Sequence, residues 1–200
     1  MCIDNLEGGG CDGISEAEYG KILAENKLKT IGVGAEYDEL SKDLQPIIDN
    51  ANKAEAKYVT CCWIANTDGA VCLAKIKEAT ELFKSVGAEL QKEGITLRYH
   101  PHGGEFVKNE GIVPIDYMLK SAKNFAFNMD VFWVKMGGRD PLKIMKSHPE
   151  KFPTLHLKDQ AKGTLGTKDG SGDVETNVVL GTGDIDIAGF IKEAKKQGTA

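Results

Sequence analysis

Tyr58-Val59-Thr60-Cys61-Cys62-Trp63 is a short apolar run, and Ile95-Thr96-Leu97-Arg98-Tyr99-His100 is another. Between them, Ala70 to Glu93 has the spacing of a long amphipathic helix, with Leu82, Phe83, Val86 and Leu90 on one face. Gly94 stops it. Strand, helix and strand in that order predict a parallel pair joined by a right-handed crossover, because parallel strands cannot be closed by a tight turn.

The alternation continues in both directions. Upstream, Ser15-Glu16-Ala17-Glu18 is a capping box that predicts a helix from Ser15 to Lys27. Lys29 to Ala35 then reads as a strand and Leu40 to Ala54 as a helix. Downstream, Pro114 to Lys123 reads as a short helix, Asn124 to Val131 as a strand rich in phenylalanine, and Pro153 to Lys158 as a further strand. Asp140-Pro141 is a helix start, an acceptor at the cap followed by a preset φ. Asp186 caps a last helix with the stripe Ile187, Phe190, Ile191 and Ala194, and Ile185 is placed to staple onto Phe190.

Repeats of roughly 30 residues, each a strand and a helix, define an α/β protein with a parallel sheet, either open or closed into a barrel. No GxGxxG follows the first strand, so a dinucleotide site is unsupported, and Gly181-Thr182-Gly183 is too short to be one. Ala161 to Thr176, rich in Gly, Lys, Asp and Ser, follows a strand and is expected to lie over the strands' C-terminal face.

Residues 1–200 suit one domain, and at 41% hydrophobic the chain has enough apolar residues for a sizeable core. The net charge of −5 repels phosphate backbones, which argues against a nucleic-acid partner. No stretch reaches the ~20 apolar residues that cross a bilayer, so no membrane partner is expected. The five cysteines form no CxxC pair; Cys61 and Cys62 read as small buried strand residues, and the composition fits a reducing, cytoplasmic setting.

Three strands finish in groups able to bind a metal. One ends in Tyr99-His100-Pro101-His102-Gly103-Gly104-Glu105-Phe106, the next in Asn128-Met129-Asp130-Val131-Phe132-Trp133, the third in Leu155-His156-Leu157-Lys158-Asp159. Ends of parallel strands share one rim, and in barrels that rim carries the active site. Carboxylate with imidazole suits Mn²⁺, Co²⁺ or Zn²⁺, and Mg²⁺ where water adds ligands. Each group has a structural alternative: Asp130 as a turn cap or lysine partner, His156 as a core histidine, Lys158 and Asp159 as a local ion pair.

At these residues the sequence resembles the sugar phosphate isomerase/epimerase family, the xylose-isomerase-like TIM barrels. The resemblance rests on Tyr99 to Phe106, Asp130 to Pro141 and Pro153 to Asp159, and on the segment Gly181-Thr182-Gly183-Asp184-Ile185-Asp186. It implies a (β/α)8 barrel with a divalent metal at its mouth. Carried over by motif, Asp130 and His156 are metal ligands, and Glu105 is a candidate third, with His100 or His102 as an alternative ligand or as acid–base groups. Lys158 is a candidate catalytic contact for an oxyanion or phosphate. Glu7 and Trp133 are candidate substrate contacts, Trp133 through stacking on a sugar face.

The resemblance covers about six of eight strands, the first and last being without counterpart. Met1 to Asn5 is expected to end the second strand, and Ala200 falls where an eighth strand with a further carboxylate is expected to begin. Six strands leave two edges, so marginal stability, self-association into a homo-oligomer, or membership of a longer chain is expected. The implied activity is isomerisation or epimerisation of a sugar, sugar phosphate or keto-sugar by proton removal next to a carbonyl. A lyase or hydratase starts from the same step, and an inactive fragment or binding protein would keep the scaffold alone. An apurinic endonuclease shares the superfamily, but the acidic balance and the four histidines disfavour it.

Overall fold

The computed structural model describes residues 3–8, 13–64 and 72–199. Six parallel strands lie side by side in chain order: β1 (Asn5–Glu7), β2 (Lys29–Gly34), β3 (Tyr58–Cys61), β4 (Thr96–Tyr99), β5 (Phe125–Asp130) and β6 (Thr154–His156). Every pairing is parallel, from Asn5↔Lys29 at one edge to Asp130↔His156 at the other. The sheet is strongly curled. Glu7 at the end of one edge strand hydrogen-bonds His156 at the end of the other across 2.7 Å. This is an incomplete TIM barrel, as expected, with six strands and helices outside.

Local sequence explains the helices. Ser15 and Glu18 form the capping box of α1 (Glu16–Glu25). The long helix α4 (Leu73–Lys92) buries Ile76, Ala79, Phe83, Val86 and Leu90 against the sheet. There Phe83 meets Tyr37 and Phe125 edge-on and Tyr99 at a tilt. Its expected start at Ala70 lies outside the described residues. Gly87 lets α4 approach the backbone before β5, since a Cβ there would fall 2.1 Å from the Asn124 carbonyl oxygen. Asp140 caps α7 (Pro141–Ser147) and Asp186 caps α8 (Ile187–Gln197), each from its side chain. Ile185 and Phe190 are both buried in the core.

Several boundaries differ from the sequence reading. The helix expected over Leu40–Ala54 is two, α2 (Tyr37–Leu40) and α3 (Gln45–Lys53), because Pro46 sets a new helix start. β1 runs from Asn5 through Glu7, past the strand end expected at Asn5. β5 stops at Asp130, whose carboxylate accepts from the Phe132 and Trp133 N–H groups and opens α6 (Val131–Met136). α5 occupies Pro114–Ser121. Cys61 is buried as expected, but Cys62 lies past the end of β3 and is exposed.

The glycine-rich segment 161–176 is closed at its base by a two-stranded antiparallel pair, β7 (Asp159–Gln160) with β8 (Asn177–Val178). It does lie over the strand C-terminal rim: Thr167 N–H donates to the Met136 carbonyl, and a Cβ on Gly103 would fall 1.9 Å from the Gly170 carbonyl oxygen.

Asp159 fixes the return of the chain and makes no ion pair with Lys158. It is 1% exposed and accepts from the N–H groups of Gln160, Gly181, Gly183 and Ile185 at 2.8–3.1 Å. Burial would raise its carboxyl, but these four donors hold it below the ordinary aspartate range. A depressed folded value means stability that is present above the ordinary aspartate pKa and is lost as pH falls through the folded one. Asp159→Asn, which puts an NH₂ group among N–H donors, is expected to cost about 3 kcal/mol at pH 7. The gap to wild type should narrow in urea melts below about pH 4.

Candidate metal centre

β4, β5 and β6 run parallel, so their last residues reach one rim together. His100 directly follows β4, its N–H bonded to the Cys61 carbonyl at 2.9 Å. Asp130 ends β5 and His156 ends β6. One ligand atom from each of His100, Asp130 and His156 lies within 4.8 Å of the other two. Asp130 is fully buried, His100 is buried, and His156 is partly open.

The polar atoms of this cluster are under-used. Asp130 commits Oδ1 to the α6 N-terminus at 3.0 and 3.3 Å. Oδ2 is ion-paired with the Lys158 ammonium 2.6 Å away. His156 Nδ1 is 4.0 Å from the same oxygen. Nδ1 of His100 and of His102 are buried without a partner. Buried ring nitrogens without a partner are costly unless something fills the space beside them. Burial, with His102, His156 and Lys158 nearby, pushes the His100 imidazole down to about 3. Its ring is therefore neutral at neutral pH, the form a metal requires. The donor set fits a divalent cation of the Mn²⁺, Co²⁺ or Zn²⁺ kind.

The other expected site residues fall as follows. His102 is half-buried between Trp63, at 5.4 Å between ring centroids, and Trp133, at 5.3 Å. Burial lowers its imidazole as well, with the Lys158 charge adding to this and Asp130 opposing it. Glu105 is buried and turned away from the cluster: it accepts from the Tyr99 hydroxyl and from the His102 N–H at 3.1 Å. Burial raises its carboxyl despite those donors. Glu7, the candidate substrate contact, has both its oxygens engaged within the protein. Oε1 takes Arg98, Oε2 takes His156, and Asn128 lies 3.1 Å from each. Burial alone would raise Glu7, yet His156, Arg98 and Asn128 together hold it at about 2.

Arg98 and Asn128 were missed by the sequence reading. Arg98 is fully buried, stacked 4.2 Å over Tyr58 and bonded to Glu7, Thr60 and Thr154. The signal was present, since Leu97-Arg98-Tyr99 sets an arginine inside a strand read as core, which demands a buried partner. Trp63, 52% exposed beside His102, was read only as a strand terminus.

Fold and rim together define a TIM-type α/β barrel with a candidate metal centre at the C-terminal ends of its strands. The chain belongs to the xylose isomerase-like TIM barrel family, whose model matches residues 10–200. No curated protein is a significant match in sequence.

Solved structures with the same fold include a sugar phosphate isomerase/epimerase from Parabacteroides distasonis. It is 19% identical, with a TM-score of 0.73 over 96% of this chain and 71% of that one. Another is the IolI protein with a bound zinc atom, 16% identical with a TM-score of 0.70 over 98% and 76%. A third is a probable 3-DHS dehydratase, AsbF, from Bacillus anthracis, 13% identical with a TM-score of 0.69 over 96% and 79%. At these identities the likeness is one of fold. Among the described residues no helix is long and apolar enough to cross a membrane.

Proposed function

We propose that this chain carries the site of a metal-dependent isomerase or epimerase that removes a proton next to the carbonyl of a sugar, sugar phosphate or keto-sugar. The observation that supports it most is the convergence of ligand atoms of His100, Asp130 and His156 within 4.8 Å of one another, with His100 Nδ1 buried and without a partner. Asp130 and His156 hold the cation, with His100 as the third protein ligand. Glu105, whose oxygens bind Tyr99 and the His102 backbone, steadies the turn that carries His102. A divalent cation bound there supplies Lewis acidity toward a carbonyl oxygen and its neighbouring hydroxyl.

The chain's own groups do the rest. The His102 imidazole, neutral because burial lowers it, accepts the proton from carbon. It returns that proton to the adjacent carbon in an isomerisation; an epimerisation needs a second proton donor on the opposite face of the substrate. Lys158, 41% exposed at the rim, faces negative charge on a substrate oxygen or phosphate. Trp133 and the flanking indole of Trp63 offer flat apolar faces to a sugar ring.

The test is exchange of substrate carbon-bound hydrogen with deuterated water. A panel of ketoses, sugar phosphates and keto-sugars is offered with Mn²⁺, Mg²⁺, Co²⁺ or Zn²⁺. At least one substrate should exchange and turn over, and His102→Asn should reduce the rate by about 100-fold or more. Loss of water from the substrate would reassign the site to lyase chemistry. Neither exchange nor turnover across the panel would contradict the reading.

A further inference from the structure

Glu7, Arg98, Thr154, Asn128 and His156 form a hydrogen-bonded ring whose directions are fixed by what each group can do. Arg98 can only donate, and its Nη1 reaches Thr154 Oγ1. Having accepted there, the Thr154 hydroxyl spends its single hydrogen on Asn128 Oδ1, at 3.1 Å. That orients the Asn128 amide, so its NH₂ faces Glu7, 3.1 Å from each oxygen. Glu7, paired with the Arg98 guanidinium, is a carboxylate and can only accept. His156 Nε2 lies 2.7 Å from Glu7 Oε2. Two lone pairs would repel at that separation, so Nε2 carries a hydrogen. The Asn128 NH₂, 3.1 Å from the same nitrogen, is itself a donor and offers it nothing to hold.

We propose that Glu7 is a positioning residue: it fixes His156 as the Nε2–H tautomer and thereby makes Nδ1 the nitrogen that binds the cation. This rests on the metal site of the preceding section. The geometry agrees on the other side of the ring, where Nδ1 is the nitrogen that faces Asp130 Oδ2. A carboxylate behind a ligating imidazole sets ring angle and tautomer and raises the basicity of the ligating nitrogen. The ring also joins the two edge strands, β1 and β6, so the ligand's orientation depends on a residue from the far edge of the sheet.

The experiment uses the full chain labelled with ¹⁵N, free of metal, near pH 8. Long-range ¹H–¹⁵N correlation reads the tautomer of His156, and calorimetry reads Zn²⁺ affinity. Wild type should show the hydrogen on Nε2 and none on Nδ1. In Glu7→Gln the one remaining oxygen goes to Arg98, and the NH₂ turns toward His156. The tautomer should then switch to Nδ1–H, and Zn²⁺ affinity should fall by about 10- to 100-fold. A hydrogen on Nδ1 in wild type, alone or with one on Nε2, overturns the proposal. So does a folded Glu7→Gln with wild-type tautomer and wild-type affinity. Should the variant not fold, the wild-type spectrum decides. Wild type that binds no Zn²⁺ while showing Nε2–H would count against the metal site and leave the tautomer assignment standing.

Discussion

Asp130→Asn is expected to lower divalent-cation affinity by about 100-fold or more, while costing only about 1 kcal/mol of stability. The two effects separate because the two oxygens of Asp130 do different work. Oδ1 caps α6 through the Phe132 and Trp133 N–H groups, and asparagine keeps an oxygen there. Oδ2 faces the centre and pairs with Lys158 at 2.6 Å. Replacing that oxygen with an NH₂ group removes the only negative charge among the three converging side chains. Lys158 loses its partner, but it is 41% exposed and can turn to water. Were Asp130 only a helix cap and a lysine partner, cation affinity would not move. Calorimetric titration of Mn²⁺ or Zn²⁺ into both proteins, beside urea melts, distinguishes the two.

Arg98→Leu should be the more damaging substitution for stability. The guanidinium is fully buried and ties β4 to Glu7 on β1, Thr60 on β3 and Thr154 on β6. Removing it leaves the Glu7 carboxylate without its counter-charge inside the barrel. Breaking a buried pair from one side costs about 3–5 kcal/mol, and the lower end applies because Glu7 keeps 28% of its side chain in water. The loss should depend on pH in a defined direction. Glu7 is held at about 2 in the fold, against an ordinary value of 4.5, so its contribution is complete above about pH 4.5 and fades as pH falls toward 2. Wild type and Arg98→Leu should therefore converge in acid, which denaturant melts from pH 7 downward measure. A parallel loss at every pH would show that Arg98 acts through Tyr58, Thr60 and Thr154 and not through the Glu7 charge.

The parallel architecture was legible because each repeat carries its own period. The 3.6-residue stripe of α4 and the wholly buried run Phe125–Asp130 leave little choice of element. Boundaries failed where a side chain acts on the backbone. The turn cap and the lysine partner weighed for Asp130 are both present, and the cap ends β5 at Asp130, one residue short of the expected Val131. Asp159 was weighed as a partner for Lys158, yet three backbone donors brought from Gly181 to Ile185, with the Gln160 N–H beside them, claim it. Spacing in sequence cannot show that closure, since it depends on how the glycine-rich segment returns.

The candidate ligands were legible because parallel topology alone puts the ends of β4, β5 and β6 together. What topology does not give is side-chain direction. Glu105 follows His102 by three residues and bends back to cap the turn instead of joining the cluster, whereas His100 points in. The Glu7–Arg98 pair spans 91 residues of sequence, and only the curl of the sheet makes it a contact.

The most direct test is a crystal of this chain soaked in Mn²⁺ or Zn²⁺, with anomalous differences measured at that metal's absorption edge. A single peak about 2.0–2.3 Å from Asp130 Oδ2, His156 Nδ1 and a His100 ring nitrogen is the predicted result. A peak elsewhere, or none beside an intact Lys158–Asp130 pair at saturating metal, would contradict it.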